Sequence, residues 1–204
     1  MNKFASDFSN FRSGRILEQM DLFLTPGETI LSVGDGPGDV SRAMQNKFSV
    51  KVQGLDIVDW AQIFRTPRTP DVPLELYDGK TIPYADNSFD VSVAIFVLHH
   101  CDDPESILRE MIRVSRKKIV IIEDIYDNRL EKAIVCLMDY IENKASFISA
   151  SVPFNFRTPS QWGQIFDQHN LELIKSTEFK FSQYWPVRHH AYCLQKAQNT
   201  SFVI

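Results

Sequence analysis

Apolar and polar residues alternate along the chain in short blocks that predict strands and helices in turn. Continuous apolar runs predict strands at 29–33, 50–56, 74–77, 90–98 and 118–123. Apolar side chains at helical spacing predict helices at 15–24, 39–48, 58–64 and 103–115. Because the strands are continuous apolar runs, they predict a parallel sheet covered by helices on both faces.

The last third of the chain has a different order of elements. A helix is predicted at 128–144, and an aromatic loop at 147–156 follows it. Thr158 and Gln161 form a capping box that opens another helix, which ends near residue 170. Two strands, 171–180 and 188–196, then follow without a helix between them, so they pair more easily as antiparallel neighbours.

Composition places the chain among globular proteins. It has 204 residues, 44% of them hydrophobic, and a formal net charge of −4. This length suggests one domain, and the acidic balance argues against a general nucleic-acid-binding surface. No apolar run reaches the length of a membrane span or a signal peptide. The three cysteines form no Cys-x-x-Cys pair, which fits a reducing cytosol and predicts a cytoplasmic protein.

Three of the eight glycines lie within residues 34–38, between a predicted strand and a helix. Glycine there lets the backbone turn sharply and approach a ligand at the carboxyl ends of the strands. The Gly-x-Gly-x-Gly spacing differs from the dinucleotide pattern, and Asp39 would repel a phosphate at the helix start. The pattern predicts a ligand site without phosphates, with a simple tight turn as the alternative.

Two acidic residues follow the next two strands. Asp56 ends the second strand, where a carboxylate can accept both ribose hydroxyls of a nucleoside. A turn or a helix cap is the alternative role for Asp56. Asp78 and Gly79 follow the third strand, where they either contact an adenine edge or form an ordinary Asp-Gly turn.

Several segments together resemble a known family. Residues 30–38, Ile-Leu-Ser-Val-Gly-Asp-Gly-Pro-Gly, resemble motif I of class I S-adenosylmethionine-dependent methyltransferases. Residues 78–90 and 97–114 resemble the stretches before and after the fourth strand of that family. The resemblance covers residues 28–125, with a weaker echo at 156–159. It is to the small-molecule branch that includes the ubiquinone and menaquinone biosynthesis methyltransferases.

The resemblance implies a fold, a cofactor and a set of site residues. The fold is α/β: a Rossmann-like, seven-stranded, mostly parallel sheet with helices on both faces and an antiparallel terminal strand. The cofactor is S-adenosylmethionine. The implied cofactor-binding residues are Gly34, Asp35, Gly36, Gly38, Asp56, Ile57, Asp78, Gly79, Ile95 and Phe96. Ser32 stands where many members carry an acidic residue for the cofactor's ammonium, and Asp35 is the candidate to compensate.

Candidate acceptor-side residues follow the fourth strand. The methyl donor is already activated, so the protein mainly positions the reactants and excludes water. His99 and His100 are candidates for a base or for acceptor positioning, and packing or capping is the alternative for one of them. His189 and His190 are expected to be structural. No ligand cluster is visible around these histidines along the chain, so no metal site is expected.

The chain is predicted to be a single methyltransferase domain over residues 1–204. We expect an N-terminal helical cap at 1–27, a cofactor-binding core at 28–125, a lid or acceptor region at 126–157, a terminal helix and strand pair at 158–196, and a tail at 197–204. Six side chains could cover an apolar or planar acceptor, or simply pack in the core: Tyr126, Met138, Tyr140, Phe147, Phe154 and Phe156.

The predicted activity is methyl transfer from S-adenosylmethionine to a small-molecule acceptor by in-line displacement. The competing hypotheses are a methyltransferase of the same fold acting on RNA or protein and a non-catalytic methyltransferase-like binding protein. The absence of a basic appended domain counts against the first, and Ser32 is the sole hint of the second. An NAD-dependent reductase is disfavoured by the glycine spacing. Nothing in the sequence predicts the oligomeric state.

Overall fold

The computed structural model of the chain describes residues 3–63, 71–145 and 153–197. Its strands are β1 (Thr29–Val33), β2 (Lys51–Asp56), β3 (Leu74–Leu76), β4 (Phe89–Ile95), β5 (Ser115–Ile125), β6 (Leu171–Phe179) and β7 (Arg188–Lys196). Its α-helices are α1 (Lys3–Met20), α2 (Asp39–Phe48), α3 (Trp60–Ile63), α4 (Pro104–Val114), α5 (Arg129–Ala145) and α6 (Pro159–Gln168). A 3-10 turn, Leu98–His100, follows β4. None of the described helices is long and apolar enough to cross a bilayer.

The seven strands form one sheet in the order β3-β2-β1-β4-β5-β7-β6. Strands β1 to β5 pair in parallel, and β7 runs antiparallel to both β5 and β6. This is the predicted Rossmann-like sheet with its antiparallel terminal strand, so the fold class is confirmed. The strand order reverses between β1 and β4, and in such sheets ligands bind at the carboxyl ends beside that point.

Helices cover both faces of the sheet. In β5 the run Ile119–Ile122 is completely buried, and its side chains alternate between two separate hydrophobic clusters. One cluster contains Ile16 and Met20 of α1, and the other contains Leu108 of α4. Burial on two faces explains why this strand is a continuous apolar run in the sequence.

The strands and helices differ from the predicted ones mainly at their ends. Helix α1 begins at Lys3, well before the predicted residue 15. Strand β4 ends at Ile95 instead of residue 98, because the N–H groups of Val97 and Leu98 bond to the Glu123 side chain. The end of the predicted helix at residue 64, part of the predicted aromatic loop and most of the predicted tail fall on residues 64–70, 146–152 and 198–204, which lie outside the described residues.

The predicted helix starts are present. Asp103 caps α4, where its carboxylate accepts a hydrogen bond of 2.9 Å from the Ser106 N–H. Thr158 and Gln161 form the predicted capping box at the start of α6. Both helices therefore begin where the sequence places them.

We expect Gly34→Ala to destabilise the protein more than Gly36→Ala. Both glycines have a left-handed φ, which costs another residue about 1–2 kcal/mol. A Cβ on Gly34 would lie 2.4 Å from Val97 Cγ2, whereas a Cβ on Gly36 has no atom within 4 Å. Overpacking typically adds about 1–3 kcal/mol.

Urea unfolding of the two variants measures the difference in free energy. The double variant Gly34→Ala/Val97→Ala relieves the steric overlap, so it should recover part of the loss beyond the cost of Val97→Ala alone. Equal destabilisation by the two glycine variants would contradict the role of Val97.

Candidate active site

The glycine turn follows β1 and is attached to the end of β2. Gly34, Gly36 and Gly38 have φ angles of +67°, +59° and +85°, in the left-handed region that favours glycine. The Gly34 N–H donates to the Leu55 carbonyl at 2.7 Å, and the Gly36 N–H donates to Asp56 Oδ2 at 2.8 Å. The turn is therefore held open as a cradle, with free space on the side of Gly36.

Asp56 is the acidic residue to which the turn is bonded. Its side chain is 5% exposed, and Oδ1 accepts hydrogen bonds from the N–H groups of Ile57 at 2.7 Å and Val58 at 3.2 Å. Oδ2 accepts from Gly36 and from Trp60 Nε1, the latter at 3.2 Å. Burial raises the pKa of Asp56, although these bonds oppose the rise. The carboxylate is both an anchor for the turn and a candidate ligand group.

Ile57 and Gly79 lie close together beside the ends of β2 and β3. Ile57 is 61% exposed, although it is a large apolar residue. A Cβ on Gly79 would lie 3.0 Å from Ile57 Cγ2, so a larger residue at position 79 would crowd the Ile57 side chain. The apolar Ile57 side chain beside a glycine suits a flat ring.

The Asp78 carboxylate has the role of an ordinary turn residue. Its Oδ1 accepts hydrogen bonds from the N–H groups of Lys80 at 2.8 Å and Thr81 at 2.9 Å, and these bonds lower the pKa of Asp78. Asp35 is also engaged, since its Oδ1 accepts a hydrogen bond from the Ser41 hydroxyl in the first turn of α2. Ser32 is buried within β1. Whether Asp35 compensates for the acidic residue missing at position 32 stays a prediction.

A second depression lies at the carboxyl ends of β4 and β5, beside β7. It is a cavity of about 180 Å³. Charged and aromatic side chains both line it, among them Arg12, Phe96, His99, His100, Asp139 and His189. The Arg12 guanidinium lies 5.8 Å from the centre of the Phe96 ring, within cation–π distance. The cavity and the glycine turn adjoin, because Val97 packs against Gly34 and the neighbouring Phe96 lines the cavity.

Glu123 positions the turn that carries the two histidines. It is 1% exposed, and its Oε1 accepts hydrogen bonds from the N–H groups of Val97 at 3.0 Å and Leu98 at 2.7 Å. Its Oε2 lies 2.5 Å from His99 Nδ1. One buried carboxylate at the end of β5 therefore sets both the backbone after β4 and the orientation of the His99 ring.

Asp139 reaches the histidines from α5. Its Oδ1 lies 3.7 Å from the Nε2 atoms of both His99 and His100 and accepts a 2.9 Å hydrogen bond from Asn143 Nδ2. Burial by itself lowers the pKa of both histidines. At His99 the charge of Glu123 and the contact with Asp139 outweigh burial, so the pKa of His99 is raised to about 10. At His100 the neighbouring His99 adds to burial and lowers the pKa to about 4.

The remaining predicted residues divide between this cavity and the core. Ile95 packs against the core at the end of β4. His189 is buried with Nδ1 2.6 Å from Asp124 Oδ1, and His190 stacks on Tyr192, as expected of structural residues. Of the predicted acceptor-side aromatics, Phe156 is buried and stacks on His99, while Tyr140 is 48% exposed and Phe147 lies outside the described residues.

Sequence reasoning missed several residues of the site, among them Arg12, Trp60, Glu123, Asp139 and Asn143. Glu123 carried a signal, because a charge at the end of a buried apolar run is costly unless it is paired. Asp139 lies four residues after the buried Val135 and four before Asn143, so all three share one helix face. Arg12 reaches the site from α1, which is distant in sequence from Phe96. Trp60 reaches Asp56 around the turn that follows β2.

Comparisons with known proteins agree with this geometry. Residues 31–122 match the family described as "Methyltransferase domain". Demethylmenaquinone methyltransferase of Renibacterium salmoninarum is 32% identical over 100 residues, which cover 48% of this chain and 42% of that protein. The enzyme of the same name from Thermotoga maritima is 26% identical over 72% of this chain and 71% of its own length.

A solved structure shows the same fold. The structure of a SAM-dependent methyltransferase from Aquifex aeolicus has a TM-score of 0.63 at 18% identity and covers 93% of each chain. The chain spans less than half the length of the Renibacterium relative. Residues 31–122 of the chain are therefore similar to a methyltransferase domain, and the sheet has the fold of that SAM-dependent methyltransferase. The roles of the single site residues stay predictions.

We expect Glu123→Ala to destabilise the protein by about 3–5 kcal/mol, because it breaks a buried pair and leaves two backbone N–H groups without an acceptor. Glu123→Gln should cost less, about 1–3 kcal/mol, since the amide oxygen still accepts those N–H groups. Chemical denaturation at neutral pH measures both. Equal and small losses would show that Glu123 does not hold this turn.

Proposed function

We propose that this protein transfers a methyl group from S-adenosylmethionine to a small-molecule acceptor. One observation carries the proposal: the glycine cradle and the aromatic cavity meet at the end of β4. Val97 packs against Gly34, and Phe96 beside it lines the cavity. A cofactor in the cradle and an acceptor in the cavity would then face each other, which is the arrangement that in-line displacement requires.

The residues of the cradle fit the parts of the cofactor. The turn containing Gly34, Asp35, Gly36 and Gly38 takes the amino acid portion, where the left-handed backbone leaves open space. Asp56 accepts the ribose hydroxyls in exchange for the hydrogen bond from Trp60. When bound, the cofactor supplies a methyl group on a positively charged sulfur, so no further activation of the donor is needed.

The adenine lies against the exposed Ile57 side chain beside Gly79, with the Asp78 turn at its edge. Ile95 and Phe96 lie near the sulfonium, because Ile95 ends β4 and Phe96 follows it, beside the point where the strand order reverses. His99 and His100 position the acceptor in the cavity. The Phe96 ring and its aromatic neighbours Phe181 and Trp185 favour a small planar or apolar group.

The names of the relatives support a small-molecule acceptor, since both act on demethylmenaquinone. A cavity of about 180 Å³ holds only the reacting part of such a molecule. One observation favours a non-catalytic binding protein instead: Ser32 supplies no charge for the cofactor's ammonium, and Asp35 is bonded to Ser41. Measured binding and turnover separate the two functions.

We also propose that the protein works in the cytoplasm. The three cysteines Cys101, Cys136 and Cys193 are all free thiols, as is usual in a reducing compartment. Retention of full activity in millimolar reductant would agree with this location, and activity that requires an oxidised form would contradict it.

Calorimetry with S-adenosylhomocysteine tests the cofactor site through Asp56→Ala. Hydrogen bonds to a charged group contribute about 1.5–3 kcal/mol each, so we expect affinity to fall roughly 10- to 100-fold. Trp60→Phe is the matched control, because it removes the N–H that the ribose replaces but keeps the Asp56 carboxylate, and it should leave affinity much closer to that of the wild type. Unchanged affinity in Asp56→Ala, with the fold confirmed by circular dichroism, would refute the ribose assignment.

A screen with methyl-labelled S-adenosylmethionine tests the acceptor class. We expect label to pass to small planar molecules, with RNA and unrelated protein as parallel acceptors. Trp185→Ala widens the cavity and should change the order of preferred acceptors without weakening cofactor binding. Label found only on RNA or protein would replace the proposed acceptor class, and cofactor binding without any transfer would favour the binding protein.

A further inference from the structure

Three potential metal ligands converge on the floor of the acceptor cavity. His99 and His100 belong to the 3-10 turn after β4, and Asp139 belongs to α5. We propose that the side chains of His99, His100 and Asp139 bind one divalent transition-metal ion of the zinc type, in contact with the acceptor cavity. The role of this ion in holding the acceptor rests on the proposed methyl transfer, whereas its binding does not.

The distances between the donor atoms suit a shared ion. Asp139 Oδ1 lies 3.7 Å from His99 Nε2 and 3.7 Å from His100 Nε2, and the three donor atoms all lie within 4.8 Å of one another. Hydrogen bonds of this kind are shorter, about 2.7–3.2 Å. Two bonds to zinc at a tetrahedral angle hold their donor atoms about 3.4 Å apart. His100 is the least buried of the three residues, so we expect its ring to make the inward movement that brings the donor atoms to that separation.

Asp139 has the features expected of a metal-binding carboxylate. The residue is 9% exposed, and its Oδ2 atom has no hydrogen-bond partner among the described residues. An unpaired buried carboxylate oxygen is costly, because it loses its hydration without a compensating contact. Asn143 already holds Oδ1 at 2.9 Å, so the carboxylate is oriented before any ion binds.

Glu123 supplies the outer contact that metal-binding histidines usually have. Its Oε2 lies 2.5 Å from His99 Nδ1, so the other ring nitrogen, Nε2, faces Asp139. A carboxylate behind a histidine fixes the ring and makes it a stronger metal ligand. Phe156 stacks on the same ring and shields it from the side. The His99 ring is therefore held on two sides, with Nε2 facing the other donor atoms.

The donor set selects the kind of ion. Two imidazole nitrogens and one carboxylate suit zinc, iron or cobalt better than magnesium or calcium, which prefer oxygen ligands. Three protein ligands also leave a fourth position free, as in catalytic zinc sites. Since this position opens to the cavity beside Phe96, an acceptor with an oxygen donor would bind there, such as a hydroxyl or an enol.

Metal titration of the full chain, without an affinity tag and after treatment with a chelator, tests the site. Co²⁺ is the spectroscopic probe, and Zn²⁺ content is measured by elemental analysis after dialysis. We expect one ion per chain, with visible absorption of a low-symmetry cobalt site. Asp139→Asn and His100→Ala should weaken Co²⁺ binding by about 100-fold or more, and Glu123→Gln by roughly 10- to 100-fold.

His190→Ala is the matched control. It removes a histidine from the other face of β7, outside the cavity, and should leave one ion bound per chain. Absence of Co²⁺ binding in the wild type would overturn the proposal. Equal binding in the control and in both ligand variants would overturn it too, because the ion would then be held elsewhere.

Affinity for S-adenosylhomocysteine, measured on the same samples, separates this proposal from the proposed function. Asp139→Asn and His100→Ala should retain cofactor binding, since neither residue belongs to the cradle, and that result also shows that the variants are folded. If the protein binds the cofactor but no metal ion, the proposed metal site is overturned and the proposed methyltransferase function is not. If the protein binds the metal ion but no cofactor, the proposed methyltransferase function is overturned and the proposed metal site is not.

Discussion

Glu123 is buried at the carboxyl end of β5, and its side chain contacts three groups. It accepts the N–H groups of Val97 and Leu98 and contacts the ring of His99. These bonds end β4 and form the 3-10 turn, so they decide where Phe96 and both histidines lie. A buried carboxylate is tolerated only when it is paired, and here the pairing shapes the acceptor side of the site.

Asp56 has the corresponding role at the end of β2. It binds the Gly36 N–H and thereby fastens the glycine turn to the neighbouring strand. Both carboxylates follow the same physical rule, because the carboxyl ends of parallel strands leave backbone N–H groups that a buried acid can satisfy. The two anchored turns meet where Val97 packs against Gly34, so the proposed cofactor side and the proposed acceptor side share one contact.

Much of the fold could be predicted because its signals are local. The apolar runs, the glycine cluster, the Asp103 cap and the capping box at Thr158 each depend on neighbouring residues, and each lies at or near its predicted place. The carboxyl end of β4 was less predictable. Glu123, which is 25 or more positions away in sequence, accepts the hydrogen bonds of the Val97 and Leu98 N–H groups. Apolar residues 96–98 have the pattern of a strand, but this distant carboxylate ends the strand before them.

The sequence by itself determined the α/β class, the glycine turn and the positions of Asp56 and the two histidines, because strand periodicity and turn chemistry act over a few residues. It also placed the residues that we propose to bind the cofactor, since each of them lies at or just after the end of a strand in the parallel part of the sheet. Only the tertiary structure decided the acceptor half. Asp139 comes close to His99 and His100 because α5 packs over the end of the sheet. A local sequence pattern cannot predict this contact, because the residues are distant in sequence and belong to different elements.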